Sequence, residues 1–125
     1  MEKKIIFTPL APQPIGPYSQ AVLCDSTLYC SGQIALNTEG QLLNDSIEQE
    51  TQQVMHNIAQ LLKTVEMDYG HIIKTSIFLT DMNDFAKVNT EYAKYFKGDF
   101  PARETIQVSA LPKGAHVEIT VIAAK

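Results

Sequence analysis

The chain has 125 residues, 45% apolar and 19% charged, which fits one compact domain with its own core and excludes an intrinsically disordered chain. Fourteen acidic residues against ten basic ones give a net charge of −4 and a pI near 5.2, and the bases are scattered except at Lys3-Lys4. A nucleic-acid binder needs clustered Lys and Arg to release counterions, so DNA and RNA are not expected partners.

No apolar run approaches the roughly 18 residues of a membrane span. The N-terminus, Met1-Glu2-Lys3-Lys4-Ile5-Ile6-Phe7, has no long apolar stretch behind its charges. A cytoplasmic protein with no membrane association is the expectation. Lys3 to Thr8 reads as a short first strand. Pro9, Pro12, Pro14 and Pro17 follow, with Gly16 among them. Few backbone donors and preset φ values make that segment an ordered loop rather than a helix or strand. Ser19 to Cys24 and Thr27 to Ile34 read as two strands joined at Asp25-Ser26. In that hairpin Cys24 faces Thr27 and Cys30 faces Ala21, so the two cysteines are too far apart to bridge. Both are expected as reduced small hydrophobes. Asn37 to Asn44, with Gly40, is a polar connection.

The first helix has the clearest pattern. Ile47, Thr51, Val54, Met55, Ile58, Leu61, Leu62 and Val65 fall at three- and four-residue spacings on one stripe. Ser46 with Gln49 three residues on makes a capping box, and Gly70 marks the stop. Ile72 to Leu79 is a strand. Thr80 or Asp81 caps a second helix with the stripe Phe85, Val88, Tyr92 and Tyr95 or Phe96, ended by Gly98 and Pro101. Two last strands, Arg103 to Val108 and Val117 to Ala123, flank a turn at Leu111-Pro112-Lys113-Gly114.

The order β-β-β-α-β-α-β-β predicts an α+β fold, a six-stranded mixed sheet with two helices on one face. On the last strand Val117, Ile119 and Val121 suit the face under the helices, while Glu118, Thr120 and Ile122 make the other face half polar. Such a face suits an oligomer interface with clefts.

Arg103 and Glu118 are the informative pair. If Ile106 and Val108 lie under the helices, Arg103 projects with Glu118 onto the open face. An arginine there offers a planar fork matched to a carboxylate, and a glutamate beside it can hold a water or move a proton. An ordinary salt bridge between strands would use the same two residues. Ser31-Gly32-Gln33 ends an apolar strand, where a glycine admits a ligand or another backbone; a β-bulge would use it equally. Tyr18 stands at the edge of the proline loop, where packing is the simpler role. His56, His71 and His116 are isolated, with no partners at metal-ligand spacing. No G-x-S-x-G elbow, P-loop or G-x-G-x-x-G is present, so neither a metal nor a cofactor is implied. Asp81 and Asp84 suit a helix N-terminus.

Ile15-Gly16-Pro17-Tyr18-Ser19-Gln20-Ala21, Ser31-Gly32-Gln33-Ile34, Asp84-Phe85-Ala86-Lys87-Val88-Asn89, Pro101-Ala102-Arg103 and Leu111-Pro112-Lys113 with Val117-Glu118-Ile119 resemble, in order and end to end, the Rid/YjgF family. That family is also known as L-PSP endoribonuclease. The resemblance implies a chorismate-mutase-like fold and a homotrimer with a barrel-like core and three clefts between subunits. Arg103 matches the arginine of the RidA subgroup, the 2-iminobutanoate/2-iminopropanoate deaminases. By the same resemblance Tyr18, Ser31, Gly32, Asn89, Arg103 and Glu118 line each cleft, with Arg103 and Glu118 catalytic. Many relatives carry a cysteine at the position of Thr105, where the family's contact is mainly through backbone. The implied reaction hydrolyses enamine and imine acids, supplied by pyridoxal-phosphate-dependent serine or threonine dehydratases, to 2-keto acids and ammonia. Two other uses of the fold are binding of a keto acid or amino acid without turnover, and ribonuclease action, against which the acidic composition argues.

Overall fold

A computed structural model describes residues 1–125. Strands β1 (Lys3–Ile6), β2 (Ala21–Cys24), β3 (Thr27–Cys30), β4 (Ile72–Leu79), β5 (Ala102–Gln107) and β6 (Val117–Ala124) form one sheet, accompanied by helices α1 (Ile47–Lys63) and α2 (Phe85–Ala93). The order across the sheet is β1-β2-β3-β6-β4-β5. Only β4 and β5 run parallel, and α2 is the crossover such a pair requires. The architecture is the expected α+β class with a six-stranded mixed sheet.

Both helices pack on one face through a single core. Leu28 of β3, Ile77 of β4, Ile119 and Val121 of β6, and Val54, Ile58, Leu61 and Leu62 of α1 are fully buried in it. Each such side chain contributes about 1.5–3 kcal/mol relative to exposure, which decides the face the helices cover. The other face carries Tyr29, Ile122, Thr120, Glu118, Phe78 and Ile106, placed there by the registers Tyr29↔Ile122, Ser76↔Thr120, Phe78↔Glu118 and Phe78↔Ile106. Tyr29 is 49% and Ile106 47% exposed, so the half-polar, half-apolar face expected from β6 extends across the sheet.

The hairpin register is as read: Cys24 pairs with Thr27 and Cys30 with Ala21. Asp25 takes a positive φ of 53° at the turn. Both thiols are free, and burial pushes that of Cys30 up to about 12, which keeps it unreactive.

At the helix ends the structure differs from the sequence reading, each time for a local reason. The Ser46 hydroxyl caps α1 by accepting from the Gln49 N–H, but the Gln49 side chain reaches the Asp45 N–H rather than that of Ser46. α1 does not run to Gly70. Glu66 adopts φ 59°, with Met67 N donating to the Leu62 carbonyl and Glu66 N to that of Lys63, a Schellman closure built without glycine. Gly70 lies instead in a 3-10 turn, Tyr69–His71, capped by Asp68. α2 likewise stops at Ala93, well before Gly98, after a 3-10 turn at Met82–Asp84 that Asp81 caps.

Candidate functional site

β3 ends at Cys30, short of the expected Ile34. Tyr29 pairs with Ile122, yet Gln33, four residues on, pairs with Ile119, only three residues back along β6. One residue is therefore extra, and Ser31-Gly32 arches out of the ladder as a bulge before Gln33 and Ile119 exchange backbone hydrogen bonds of 2.8 and 3.0 Å. The two readings of this glycine, a bulge and a close approach, hold together. A Cβ on Gly32 would lie 2.7 Å from Glu118 Oε2 and 2.8 Å from its Cδ, so only glycine leaves the carboxylate where it stands.

A cleft of about 300 Å³ opens at this point. Tyr18, Ser31, Gly32 and Glu118, four of the six residues that the family resemblance puts in one cleft, line it together with Gln33 and Ile34. Main-chain bonding fixes the walls. The Ser31 hydroxyl donates to the Ser19 carbonyl at 2.6 Å, and Ser31 N to that of Gln20 at 2.9 Å. Gln20, only 2% exposed, donates to the carbonyls of Thr8 and Pro12 and accepts from Thr8 N, which ties down the proline loop carrying Tyr18. On the other side the Asn57 amide of α1 donates to the Ile34 and Leu36 carbonyls. Gln20 and Asn57 escaped the sequence reading; their signal is a polar side chain at a position whose neighbours are core.

Glu118 has no ion-pair partner in the chain. Burial alone raises its carboxyl above the ordinary carboxylate value. β6 is held at its start by a second carboxylate: Glu50 of α1, 1% exposed, accepts from His116 N at 2.6 Å, His116 Nδ1 at 2.9 Å and Val117 N at 3.2 Å.

Arg103 lies elsewhere. Its cross-strand partner is Thr75, which also pairs with Val121, and both of those are fully buried under the helices. Arg103 is thus on the helix-side face, opposite Glu118, and the expectation that both project onto the open face is corrected. The pattern misled because β5 is an edge strand. Its helix-side positions are only partly covered and accept a long stem with a polar head, whereas Ile106 joins an open face already rich in apolar residues. No interstrand salt bridge joins Arg103 to Glu118.

Around Arg103 a second cleft of about 260 Å³ is lined by Asn89, Tyr92, Phe100 and Pro101. The guanidinium carbon sits 5.8 Å from the Phe85 ring centroid and 5.3 Å from that of Tyr92. Thr105 shares this side of β5, and its hydroxyl is buried without a hydrogen-bond partner. The seven residues singled out from sequence therefore fall into two groups, Tyr18, Ser31, Gly32 and Glu118 in one cleft and Asn89, Arg103 and Thr105 at the other. Each group is chemically half a site: a carboxylate with raised proton affinity, and a cation with no counter-ion.

Residues 8–125 match the model of the family described as Endoribonuclease L-PSP. The chain is 46% identical over 122 residues to human 2-iminobutanoate/2-iminopropanoate deaminase, covering 97% of this chain and 89% of that one. A crystal structure from Yersinia pestis, YyfA, described as a protein of unknown function of the conserved Rid family, superposes with TM-score 0.95 at 50% identity, covering 99% of this chain and 100% of that one. E. coli TdcF with bound serine superposes with TM-score 0.93 at 36% identity, covering 98% of both chains. With the order of elements, the Ser31-Gly32 bulge and likeness along nearly the whole length agreeing, the chain belongs to the endoribonuclease L-PSP family, also called Rid.

Proposed function

We propose that the protein is a deaminase that hydrolyses 2-imino acids, and the enamines that tautomerise to them, to 2-keto acids and ammonia in clefts shared between subunits of a homotrimer. The observation that carries the reading is the separation of the two half-sites. Arg103 and Glu118 lie on opposite faces of one sheet, each without an ionic partner, so a substrate that needs both must take them from two protomers. The open face supplies the apolar surface for such an assembly, with Ile5 57%, Tyr29 49% and Ile106 47% exposed. The human relative, named 2-iminobutanoate/2-iminopropanoate deaminase, supports the choice of reaction.

The chemistry asks little of the protein. An imine carbon next to a carboxylate is already electrophilic. Arg103 from one protomer binds the carboxylate with two parallel N–H donors and fixes the carbon. Glu118 from its neighbour, ionised but with raised proton affinity, accepts a proton from the water that adds to that carbon. The same proton then goes to nitrogen to give the carbinolamine. Glu118 next carries the proton of the new hydroxyl to nitrogen, the C–N bond breaks, ammonia leaves and the carbonyl of the keto acid remains. Ser31 and the backbone near Thr105 complete the contacts to carboxylate and water. Pyridoxal-phosphate-dependent serine or threonine dehydratases release imines of this kind and would supply the substrate.

The test is a coupled assay in which a dehydratase makes the imine and keto-acid formation is followed with and without this protein. Acceleration is expected, and Arg103→Ala should remove about 2–4 kcal/mol of transition-state stabilisation, tens- to a thousandfold in rate. Undiminished turnover by Arg103→Ala would overturn the assignment. A second reading, a sensor that binds an amino or keto acid without turnover, draws support from the serine bound by the E. coli relative. It predicts tight binding with no acceleration.

A further inference from the structure

We infer that Phe85 and Tyr92 are positioning residues for Arg103, an aromatic cradle that orients the guanidinium while leaving its charge and its donors to the substrate. The inference rests on the deaminase reading and goes beyond it by saying how the cation is held. Arg103 is the only arginine in the chain. Lysines meet carboxylates in the pairs Lys74–Glu104 at 2.6 Å and Lys94–Glu91 at 2.9 Å, yet no carboxylate meets Arg103. Two ring faces of α2 stand in that place, at 5.8 Å and 5.3 Å from the guanidinium carbon.

The substitution of rings for an acid has a chemical consequence. A carboxylate partner would occupy the donor fork and cancel the charge, and an incoming substrate carboxylate would have to displace it. A ring attracts the cation through its π face and takes none of the N–H donors. The cradle is itself rigid on one side. Tyr92, 3% exposed, donates its hydroxyl to Thr75 Oγ1 at 2.9 Å, and Thr75 is the cross-strand partner of Arg103. Phe96 packs on the same ring with centroids 4.8 Å apart. Tyr92 therefore cannot turn away, and its hydrogen bond ties the ring to the strand next to the one that bears the arginine. On the other side Phe85 opens α2 at 37% exposure, an aromatic half in solvent whose ring has Arg103 against it.

The measurement is a double-mutant cycle on imine hydrolysis, with Phe85→Leu, Arg103→Ala and the pair, together with inhibition by the keto-acid product. Phe85 is partly exposed, so the leucine variant should keep its melting temperature. Phe85→Leu is expected to raise KM and the product inhibition constant about five- to tenfold with kcat within about twofold, the pattern of a lost carboxylate anchor. Phe85→Tyr, which restores a ring, should return both to wild-type values. In the Arg103→Ala background Phe85→Leu should change nothing further. Tyr92→Phe, which keeps the ring and frees it from Thr75, should raise the same two constants by less. Additive losses in the cycle, or failure of Phe85→Tyr to rescue, would overturn the cradle while leaving the deaminase reading intact. Normal turnover by Arg103→Ala alone would instead remove the deaminase reading and the cradle with it.

Discussion

Around Glu118 the main chain does the positioning: a bulge at Ser31-Gly32, a glycine with no room for a Cβ, and a loop bound through its carbonyls by Gln20. Around Arg103 side chains do it, two rings on a nine-residue helix above an edge strand, with solvent close by. The Glu118 carboxylate thus sits in a notch where a Cβ at residue 32 would displace it. The Arg103 guanidinium sits against two ring faces. Water activation demands placement to a fraction of an ångström, whereas a carboxylate clamp gains most of its energy from charge and donor number, and the two constructions match those demands.

Substitutions can break this contrast in order of size. Glu118→Gln should lower hydrolysis by about two to four orders of magnitude while leaving keto-acid binding intact or slightly tighter, as calorimetry with the product would report. Loss of binding in parallel with turnover would mean that Glu118 holds the ligand instead of the proton. The same variant reads out pH. Because burial raises the folded-state pKa of Glu118, the fold favours the protonated form, and ionisation above the ordinary carboxylate range costs stability. Glu118→Gln should therefore melt higher than wild type at neutral pH. The advantage should vanish below the unfolded carboxylate pKa, where both states hold the proton.

Gly32→Ala comes next. The atoms it would strike are the end of the Glu118 side chain, so the fold should survive with the carboxylate displaced, at about ten- to a hundredfold in kcat. An unchanged kcat would show that the notch does not place the reacting carboxylate. Thr105→Val should be smallest. Its hydroxyl has no partner within the protomer, so its removal should be neutral or stabilising by up to about 1 kcal/mol in thermal melts. A fall in kcat/KM without a change in stability would show that the hydroxyl finds its partner only in the assembled, liganded cleft.

What the sequence disclosed depended on how local the determinant was. The Cys24–Thr27 register follows from a two-residue turn, and the α1 stripe from its own spacing, so both were legible. The face of Glu118 was legible because β6 alternates with apolar residues on the helix side, whereas Tyr18, Ser31 and Gly32 join it through loop and bulge geometry that no strand pattern shows. The face of Arg103 was not legible. An edge strand's alternation is read against whatever covers it, and that cover, Phe85 and Tyr92, belongs to α2. Gly70 suits a helix stop because glycine is the usual left-handed residue there, yet Glu66 takes that conformation four residues earlier. Phe85 and Tyr92 carry helical spacing, and Tyr92 does lie in the core; no pattern within α2 alone shows that a ring also faces a cation.

β6 is the last strand in chain order, yet it stands at the centre of the sheet, between β3 and β4. Before it arrives, the β1–β2–β3 meander and the β4–α2–β5 crossover share no ladder, and each has a bare edge. The folding chain is then two fragments joined by α1, and closing the sheet waits for a contact as distant as Glu50 with His116 and Val117. Glu118 is delivered by that same closing strand. Its carboxylate therefore enters the Ser31-Gly32 notch in the step that seals the sheet, so a chain without that strand in place carries an unpartnered arginine but no Glu118 cleft.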